Sequence, residues 1–137
     1  MKISIVPPER VQECWHEVAP LLQPAVDRSG GRFLIEDVYH LVVTGENHLW
    51  VVFEDGVIIA CCTTAFTEYP RKRMLTGQFL GGSHMSEWVP ALDSILERWG
   101  RDHGCSGIEL TGRKGWLRVL DKVGWSVTFY ITEKDYG

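Results

Sequence analysis

The chain has 137 residues and a formal net charge of −4, and 45% of its residues are hydrophobic. This length fits a single domain, residues 1–137, with one buried core, and the hydrophobic content excludes a disordered chain. The acidic balance argues against binding to nucleic acid, which usually needs a concentrated basic face. No apolar run reaches the roughly 20 residues that span a bilayer, so we expect no membrane segment.

The first 45 residues predict one strand and two helices. Residues 1–6 alternate apolar and polar side chains and end at two prolines, which cannot continue a strand ladder. A helix follows, and Pro20 is expected to stop or kink it. Its apolar stripe at three-and-four spacing consists of Val11, Cys14, Trp15 and Val18. A second amphipathic helix is expected from about Phe33 to a C-terminal cap at Gly45.

The middle of the chain predicts strands. Residues 49–53 and 57–66 are β-branched or aromatic runs, and the Asp55-Gly56 turn between them is a strong hairpin signal. Residues 73–80 read as a further strand, which Gly77 interrupts. A glycine-marked turn then leads into the next helix.

The last third of the chain alternates helix and strand. A long helix is expected from about Ser86 to Asp102, with Gly104 placed to end it. Residues 107–110 predict a buried strand, and a short helix follows before Gly124. Residues 125–131 (WSVTFYI) predict a final strand.

Cysteine and histidine usage predicts neither disulfides nor a metal site. Cys61 and Cys62 lie inside an apolar run, where strand alternation directs them to opposite faces as small hydrophobes. The four cysteines form no C-x-x-C pair and the five histidines follow no metal-binding spacing. With no signal peptide at its start, the sequence favours a reducing, cytoplasmic location.

This order of elements resembles the GNAT superfamily of acyl-CoA-dependent N-acetyltransferases, and the resemblance covers nearly the whole chain. Residues 49–62 are similar to the hairpin of that family, and residues 107–125 to its strand, short helix and Gly-aromatic ending. It implies an α/β fold with a mixed, mostly antiparallel sheet of about six to seven strands and about four helices. Within the superfamily, residues 69–73, 79–82 and 112–120 resemble a group of small phage-encoded proteins.

The resemblance implies a binding site for acetyl-CoA. Members of the family seat the cofactor pyrophosphate on backbone N–H groups at the start of the long helix. The pantetheine arm would lie between residues 75–80 and 107–110, with the thioester near Gln78 or Phe79. The residues expected to bind the cofactor are Gln78, Phe79, Leu80, Gly81, Gly82, Ser83 and Arg113. Arg113 has an alternative interpretation as a solvent-facing residue.

The sequence departs from the family at the positions that would carry catalysis. Many members place a tyrosine in the short helix to protonate the leaving thiolate, and this chain has Leu120 there. Tyr130 or a water molecule is the candidate substitute. The strand 73–80 contains no carboxylate to serve as a base, so Glu109 on the following strand is the candidate. The glycine turn is also shorter than usual and lacks the arginine of the family pattern.

Two functions are therefore open. One is an acetyl-CoA-dependent N-acetyltransferase acting on a primary amine, with its activity impaired or lost. The other is a non-catalytic phage accessory or virion-associated protein that binds phage structural proteins through its surface. The first predicts cofactor binding, and the second predicts protein contacts and a place in the host cytoplasm or the virion.

Overall fold

The computed structural model describes residues 1–112 and 115–137. The strands are β1 Lys2–Val6, β2 His48–Glu54, β3 Val57–Glu68, β4 Arg73–Gly82 and β5 Gly107–Leu110. The helices are α1 Val11–Asp27, α2 Ile35–Val43, α3 Met85–Asp102 and α4 Gly115–Leu120. Single 3₁₀ turns precede α1, at Pro8–Arg10, and follow α4, at Asp121–Val123.

The five strands form one sheet in chain order from β1 to β5. The first four pair antiparallel with their neighbours. Short turns return the chain from β2 to β3 and from β3 to β4, whereas α1 and α2 lie between β1 and β2 in the chain. β4 and β5 pair in parallel, since α3 carries the chain back across the sheet between them. The predicted mixed, mostly antiparallel α/β fold is confirmed, with five strands among the described residues in place of about six to seven.

Helices cover both faces of this sheet, which has a separate apolar cluster on each side. Helices α1 and α2 pack on one face through residues that include Val18, Leu22, Val38 and Val42. Helices α3 and α4 cover the other face through Trp88, Leu92, Leu96 and Leu120. Cys61 belongs to the first cluster and Cys62 to the second, as the strand alternation predicts.

Two outcomes expected from the sequence are not found. Of the two effects expected of Pro20, a stop or a kink, the stop does not occur, because helix α1 continues to Asp27 and Leu22 and Val26 beyond the proline are buried. That burial stabilises the turn in which proline removes one backbone hydrogen bond. Residues 125–131 form no strand, because they run beside the sheet without pairing with it, and Phe129 and Ile131 are exposed.

Candidate functional site

The sheet opens between β4 and β5. The two strands are paired from Met74 with Gly107 to Gly77 with Leu110, where β5 ends. β4 continues for five more residues, from Gln78 to Gly82, and no described residue forms a strand beside that edge. The opening therefore begins at Gln78 and ends at the N-terminus of α3.

A β-bulge marks the place where the opening begins. Thr64 pairs with Gly77 and Thr63 with Phe79, so Gln78 is an extra residue in β4. The Phe79 amide donates a hydrogen bond to the Thr63 hydroxyl at 3.2 Å. The side-chain carbonyl of Gln78 accepts a hydrogen bond from Asn47 Nδ2 at 2.5 Å. The bulge thus holds Gln78 in one position at the point where β4 and β5 part.

An apolar cavity of about 50 Å³ lies in the opening, on the α3 side of the sheet. Its lining includes Leu80 of β4, Leu110 of β5 and Leu120 of α4, and Trp125 from the segment after α4. The Trp125 indole N–H donates to Asp93 Oδ1 at 2.8 Å, which fixes the ring against α3. A volume of this size holds one or two water molecules. The cleft is therefore narrow, and Trp125 forms part of its wall.

The two glycines of the expected phosphate turn lie inside β4. Gly81 pairs with Cys61 and Gly82 with Ala60. A Cβ atom on Gly81 would lie 1.9 Å from the Leu21 carbonyl oxygen of α1, so the helix backbone packs directly against this glycine. Gly82 has a φ of +136°, and a Cβ there would lie 2.4 Å from the Ala60 Cα. Close packing explains both glycines without a ligand.

Only Ser83 and His84 connect β4 to α3. His84 adopts a left-handed conformation with a φ of 57°, and its side chain makes no capping hydrogen bond. The Ser83 carbonyl accepts a hydrogen bond from the Trp88 indole at 2.6 Å, and the Ser83 amide donates to the Ile59 carbonyl at 3.1 Å. The amides of residues 85 and 86, in the first turn, have no carbonyl four residues earlier in the helix to accept their hydrogens. The first turn of the helix therefore has free backbone donors two residues after the open edge of β4 ends.

Glu109 lies on the other face of the sheet, where α1 does not cover it. The Tyr69 hydroxyl donates to Glu109 Oε1 at 2.7 Å, and Thr76 Oγ1 contacts the same oxygen at 3.2 Å. The Thr67 and Thr76 hydroxyls are 2.6 Å apart. The hydrogen bond to Glu109 raises the pKa of Tyr69, so the phenol remains protonated and holds the carboxylate. This cluster lies across the sheet from the apolar cavity.

The structure brings only part of the predicted site together. Gln78, Phe79, Leu80 and Ser83 line the opening or its mouth, and Glu109 lies one strand away. Tyr130 is 74% exposed and does not line the cavity. Arg113 lies outside the described residues. The prediction that these residues bind a cofactor stays a prediction.

Sequence reasoning missed three side chains that shape the site: Asn47, Tyr69 and Asp93. Each makes its contact with a residue at least 31 positions away in the chain. No local pattern signals such a contact, because periodicity reports only which face of an element is apolar.

The adjacent cysteines of β3, of which Cys62 lines the cleft, are buried and protonated. Burial raises the pKa of the Cys62 thiol to about 12, and it also raises the pKa of Cys61. Since the thiolate is the nucleophile, the thiol of Cys62 at the cleft wall is inert. Within residues 1–112 and 115–137, no three His, Cys, Asp or Glu side chains are grouped to hold a metal ion. No helix in those same ranges is long and apolar enough to cross a membrane.

Comparison with solved structures identifies the architecture. A GCN5-related N-acetyltransferase from Ralstonia eutropha JMP134 superposes with a TM-score of 0.73 at 16% identity, with 99% of both chains covered. The fold is that of the GNAT acetyltransferases. A ribosomal-protein-alanine N-acetyltransferase from Brucella melitensis biovar Abortus 2308 has a TM-score of 0.71 at 14% identity, again with 99% of both chains covered.

A third neighbour was solved with acetyl-CoA. This predicted acetyltransferase from Clostridium acetobutylicum has a TM-score of 0.68 at 14% identity, covering 98% of this chain and 95% of its own. No family profile matches the sequence. No curated protein matches it significantly either. The likeness is therefore one of fold, and the chemistry has to be argued from the site.

Proposed function

We propose that this protein binds acetyl-CoA in the opening between β4 and β5 and transfers the acetyl group to a primary amine. The observation that carries the proposal is the parting of β4 from β5 at Gly77 and Leu110, which leads directly to the N-terminus of α3. The Clostridium acetobutylicum neighbour with the same fold holds acetyl-CoA. When bound, acetyl-CoA supplies an acetyl group already activated as a thioester.

The mouth of the opening suits the phosphates of the cofactor. Helix α3 has 18 residues, so its N-terminus carries a full macrodipole as well as free backbone donors. The amides of residues 85 and 86 would donate to phosphate oxygens. Glu87 in the first turn is the one acidic residue there and opposes an anion, which limits the expected affinity.

The unpaired edge of β4 suits the pantetheine arm. From Gln78 to Gly82, the backbone groups on the β5 side of β4 have no strand beside them. They are therefore free to form hydrogen bonds with the two amides of the arm. Leu80, Leu110 and Leu120 provide apolar contacts for its methylene groups. The arm would lie along this open edge, with Trp125, held by Asp93, as part of the wall.

The amine would be held on the opposite face, at Glu109. The carboxylate is only partly buried and is oriented by Tyr69 and Thr76, so it can attract a cationic amine to this side of the sheet. There it would accept the proton that an ammonium group loses before attack, through one water molecule if direct contact is not made. The amine would then approach through the gap beside Gln78.

A non-catalytic binding protein is the second candidate, and Leu120 favours it. Leu120 lines the cleft at the position where relatives of this fold commonly carry the proton-donating tyrosine, and a leucine has no proton to give. The narrow cleft also favours a non-catalytic binding protein. The association with phage structural proteins expected under this candidate stays a prediction.

Calorimetric titration with acetyl-CoA tests the proposal, with two variants of His84 as a matched pair. Asn and Asp both tolerate the left-handed backbone of His84. His84→Asp adds a negative charge at the helix N-terminus, which favours the helix but repels a phosphate. His84→Asn changes shape in the same way without the charge. We expect micromolar binding by the wild type and His84→Asn, and affinity about tenfold weaker for His84→Asp.

The outcomes separate the two candidates. Absence of heat at millimolar acetyl-CoA would refute the acetyltransferase and leave the binding protein. Equal affinity for His84→Asp and His84→Asn would refute the helix N-terminus as the phosphate site. Measured binding together with release of free CoA in the presence of a primary amine would establish catalysis.

A further inference from the structure

Two side-chain amides meet on the face of the sheet that carries Glu109. Asn47 directly precedes β2, and Gln78 is the bulge residue of β4. Side chains two residues apart in a strand share a face, so Asn47 lies on the face of buried Leu49, and Gln78 on the face of Thr76. The hydrogen bond from Asn47 Nδ2 to Gln78 Oε1 spans β3, which lies between the two strands.

The backbone fixes both members of this amide pair. Asn47 is 5% exposed, and its backbone amide donates to the Leu41 carbonyl of α2 at 2.9 Å. On the other side, the bulge directs Gln78 away from the regular ladder, and the Phe79 amide is bonded to the Thr63 hydroxyl. The pair is therefore preorganised, and a ligand that contacts it would not have to order these side chains.

The pair leaves one donor and one acceptor unused. Two carboxamides can form a cyclic pair with two hydrogen bonds, and Asn47 and Gln78 form one. Among the described residues, no other group is bonded to Gln78 Nε2 or to Asn47 Oδ1. Neither atom is buried without a partner, so both reach solvent. A neutral group that accepts and donates hydrogen bonds would complete the pair.

We propose that Asn47 and Gln78 select the acceptor amine by binding such a neutral group, of which a carboxamide is the simplest example. The inference rests on the proposed acetyltransferase function, which places the ammonium of the acceptor at Glu109. Thr76 pairs with Glu109 across the sheet, and Gln78 lies two residues further along β4, roughly 7 Å away. The preferred acceptor therefore carries its carboxamide about that distance from its amine.

Selection follows from the cost of leaving the two free atoms without partners. An apolar group at this place would displace water from Gln78 Nε2 and Asn47 Oδ1 and would return no hydrogen bond. Sites built to hydrogen-bond a substrate group reject analogues that lack it for this reason. Asn47 has two roles in this arrangement, because it positions the Gln78 amide and also supplies the acceptor.

Nuclear magnetic resonance of the full chain without acetyl-CoA tests this selection. The probes are 5-aminopentanamide and 5-methylhexylamine, in which an isopropyl group of the same shape replaces the carboxamide. We expect 5-aminopentanamide to shift the side-chain amide signals of Asn47 and Gln78 saturably. We expect its dissociation constant to be about tenfold smaller than that of 5-methylhexylamine.

Variants separate selection from a structural role. Gln78→Leu is expected to bring the dissociation constants of the two amines together, whereas Glu109→Gln is expected to weaken both by the same factor. The matched control is Gln23→Leu, which removes a glutamine bonded to Asp27 within α1 and is expected to keep the tenfold preference. Circular dichroism of each variant establishes that it is folded.

The outcomes also separate this proposal from the acetyltransferase itself. The titration contains no acetyl-CoA, so a protein that fails to bind the cofactor can still show the preference. Absence of a saturable shift at Gln78, equal affinity of the wild type for the two amines, or a preference that persists in Gln78→Leu would each overturn the selection by Asn47 and Gln78.

Discussion

Replacement of Gly81 by alanine is expected to weaken the packing of α1 on the sheet. The Leu21 carbonyl oxygen lies where the new Cβ would be, at 1.9 Å, and atoms of this kind do not approach within about 3 Å. The backbone of residue 81 fixes the position of the Cβ, and the carbonyl belongs to the backbone of α1, so no side-chain rotation relieves the contact. The helix must retreat by about an ångström, or β4 must bend away.

The loss of unfolding free energy follows from the buried side chains that this movement separates. Leu22 and Val18 are fully buried where α1 packs on the sheet, and Phe79 of β4 is in the same cluster. Overpacking a well-filled core typically costs about 1–3 kcal/mol, and a contact with immobile backbone falls at the upper end. We therefore expect the Gly81→Ala variant to lose about 3 kcal/mol of unfolding free energy and about 10 °C in Tm.

Urea unfolding followed by tryptophan fluorescence and by circular dichroism measures this loss. Gly100→Ala is the matched control, because Gly100 is also a buried glycine, but its Cβ would meet its neighbours at 3.6 Å, an ordinary contact. Alanine favours a helix by up to about 1 kcal/mol over glycine, so Gly100→Ala is expected to be neutral or stabilising. A Gly81→Ala variant within about 0.5 kcal/mol of the wild type would refute the packing role of this glycine.

Two further predictions concern Leu120 and His48. Leu120→Tyr places a hydroxyl in the cleft, so we expect the rate of CoA release from acetyl-CoA in the presence of a primary amine to rise at least about tenfold. Leu120→Phe is the control without a hydroxyl. Equal rates for the two variants would contradict the role of the hydroxyl as proton donor. Burial lowers the pKa of His48 below 6.5, and the nearby charges of His103 and Arg73 lower it further. The unfolded chain therefore binds the proton more readily, so stability is lost as pH falls below about 6.5. We expect the free energy of unfolding of His48→Gln to depend less on pH across that range, and a profile parallel to that of the wild type would exclude His48 as the cause.

The hydrogen bonds around His48 also oppose its protonation in the folded state. The Trp50 indole donates to Thr64 Oγ1 at 3.0 Å, which leaves the Thr64 hydroxyl proton free to donate to His48 Nδ1 at 2.9 Å. A proton on Nδ1 would remove the acceptor in that bond. The ring also packs between Phe66 and Trp99, at centroid distances of 4.7 and 4.8 Å. A charge on His48 is therefore opposed by the removal of the ring from water and by the loss of one hydrogen bond.

The sequence predicted the elements where each has its own periodic signal. Helix α3 begins one residue before the expected Ser86 and ends at the expected Asp102, because its apolar stripe extends along the whole helix. The hairpin between β2 and β3 was predicted from Asp55 and Gly56, which supply the left-handed conformations of a tight turn. Signals of this kind depend only on neighbours in the chain.

Residues 125–131 show where such reasoning fails. Their composition favours a strand, and that preference is a statement about side chains on a pleated surface. A strand also needs a partner, and here the contacts of Trp125 and Glu133 at the two ends carry the segment across the sheet edge. The missing partner is a property of the assembled chain, and no window of the sequence contains it.

The glycines and Leu120 differ in how much each says about activity. Gly81 and Gly82 are needed because backbone passes close to them, and that requirement holds whether or not a phosphate binds at the next turn. A glycine motif at this point of the fold therefore does not distinguish an active acetyltransferase from an inactive one. Leu120 is only 7% exposed within the apolar cluster under α3, and it also lines the cleft. Packing therefore favours an apolar residue there as well, but a leucine has no proton to give, so the choice between catalysis and binding depends on whether another group protonates the leaving thiolate.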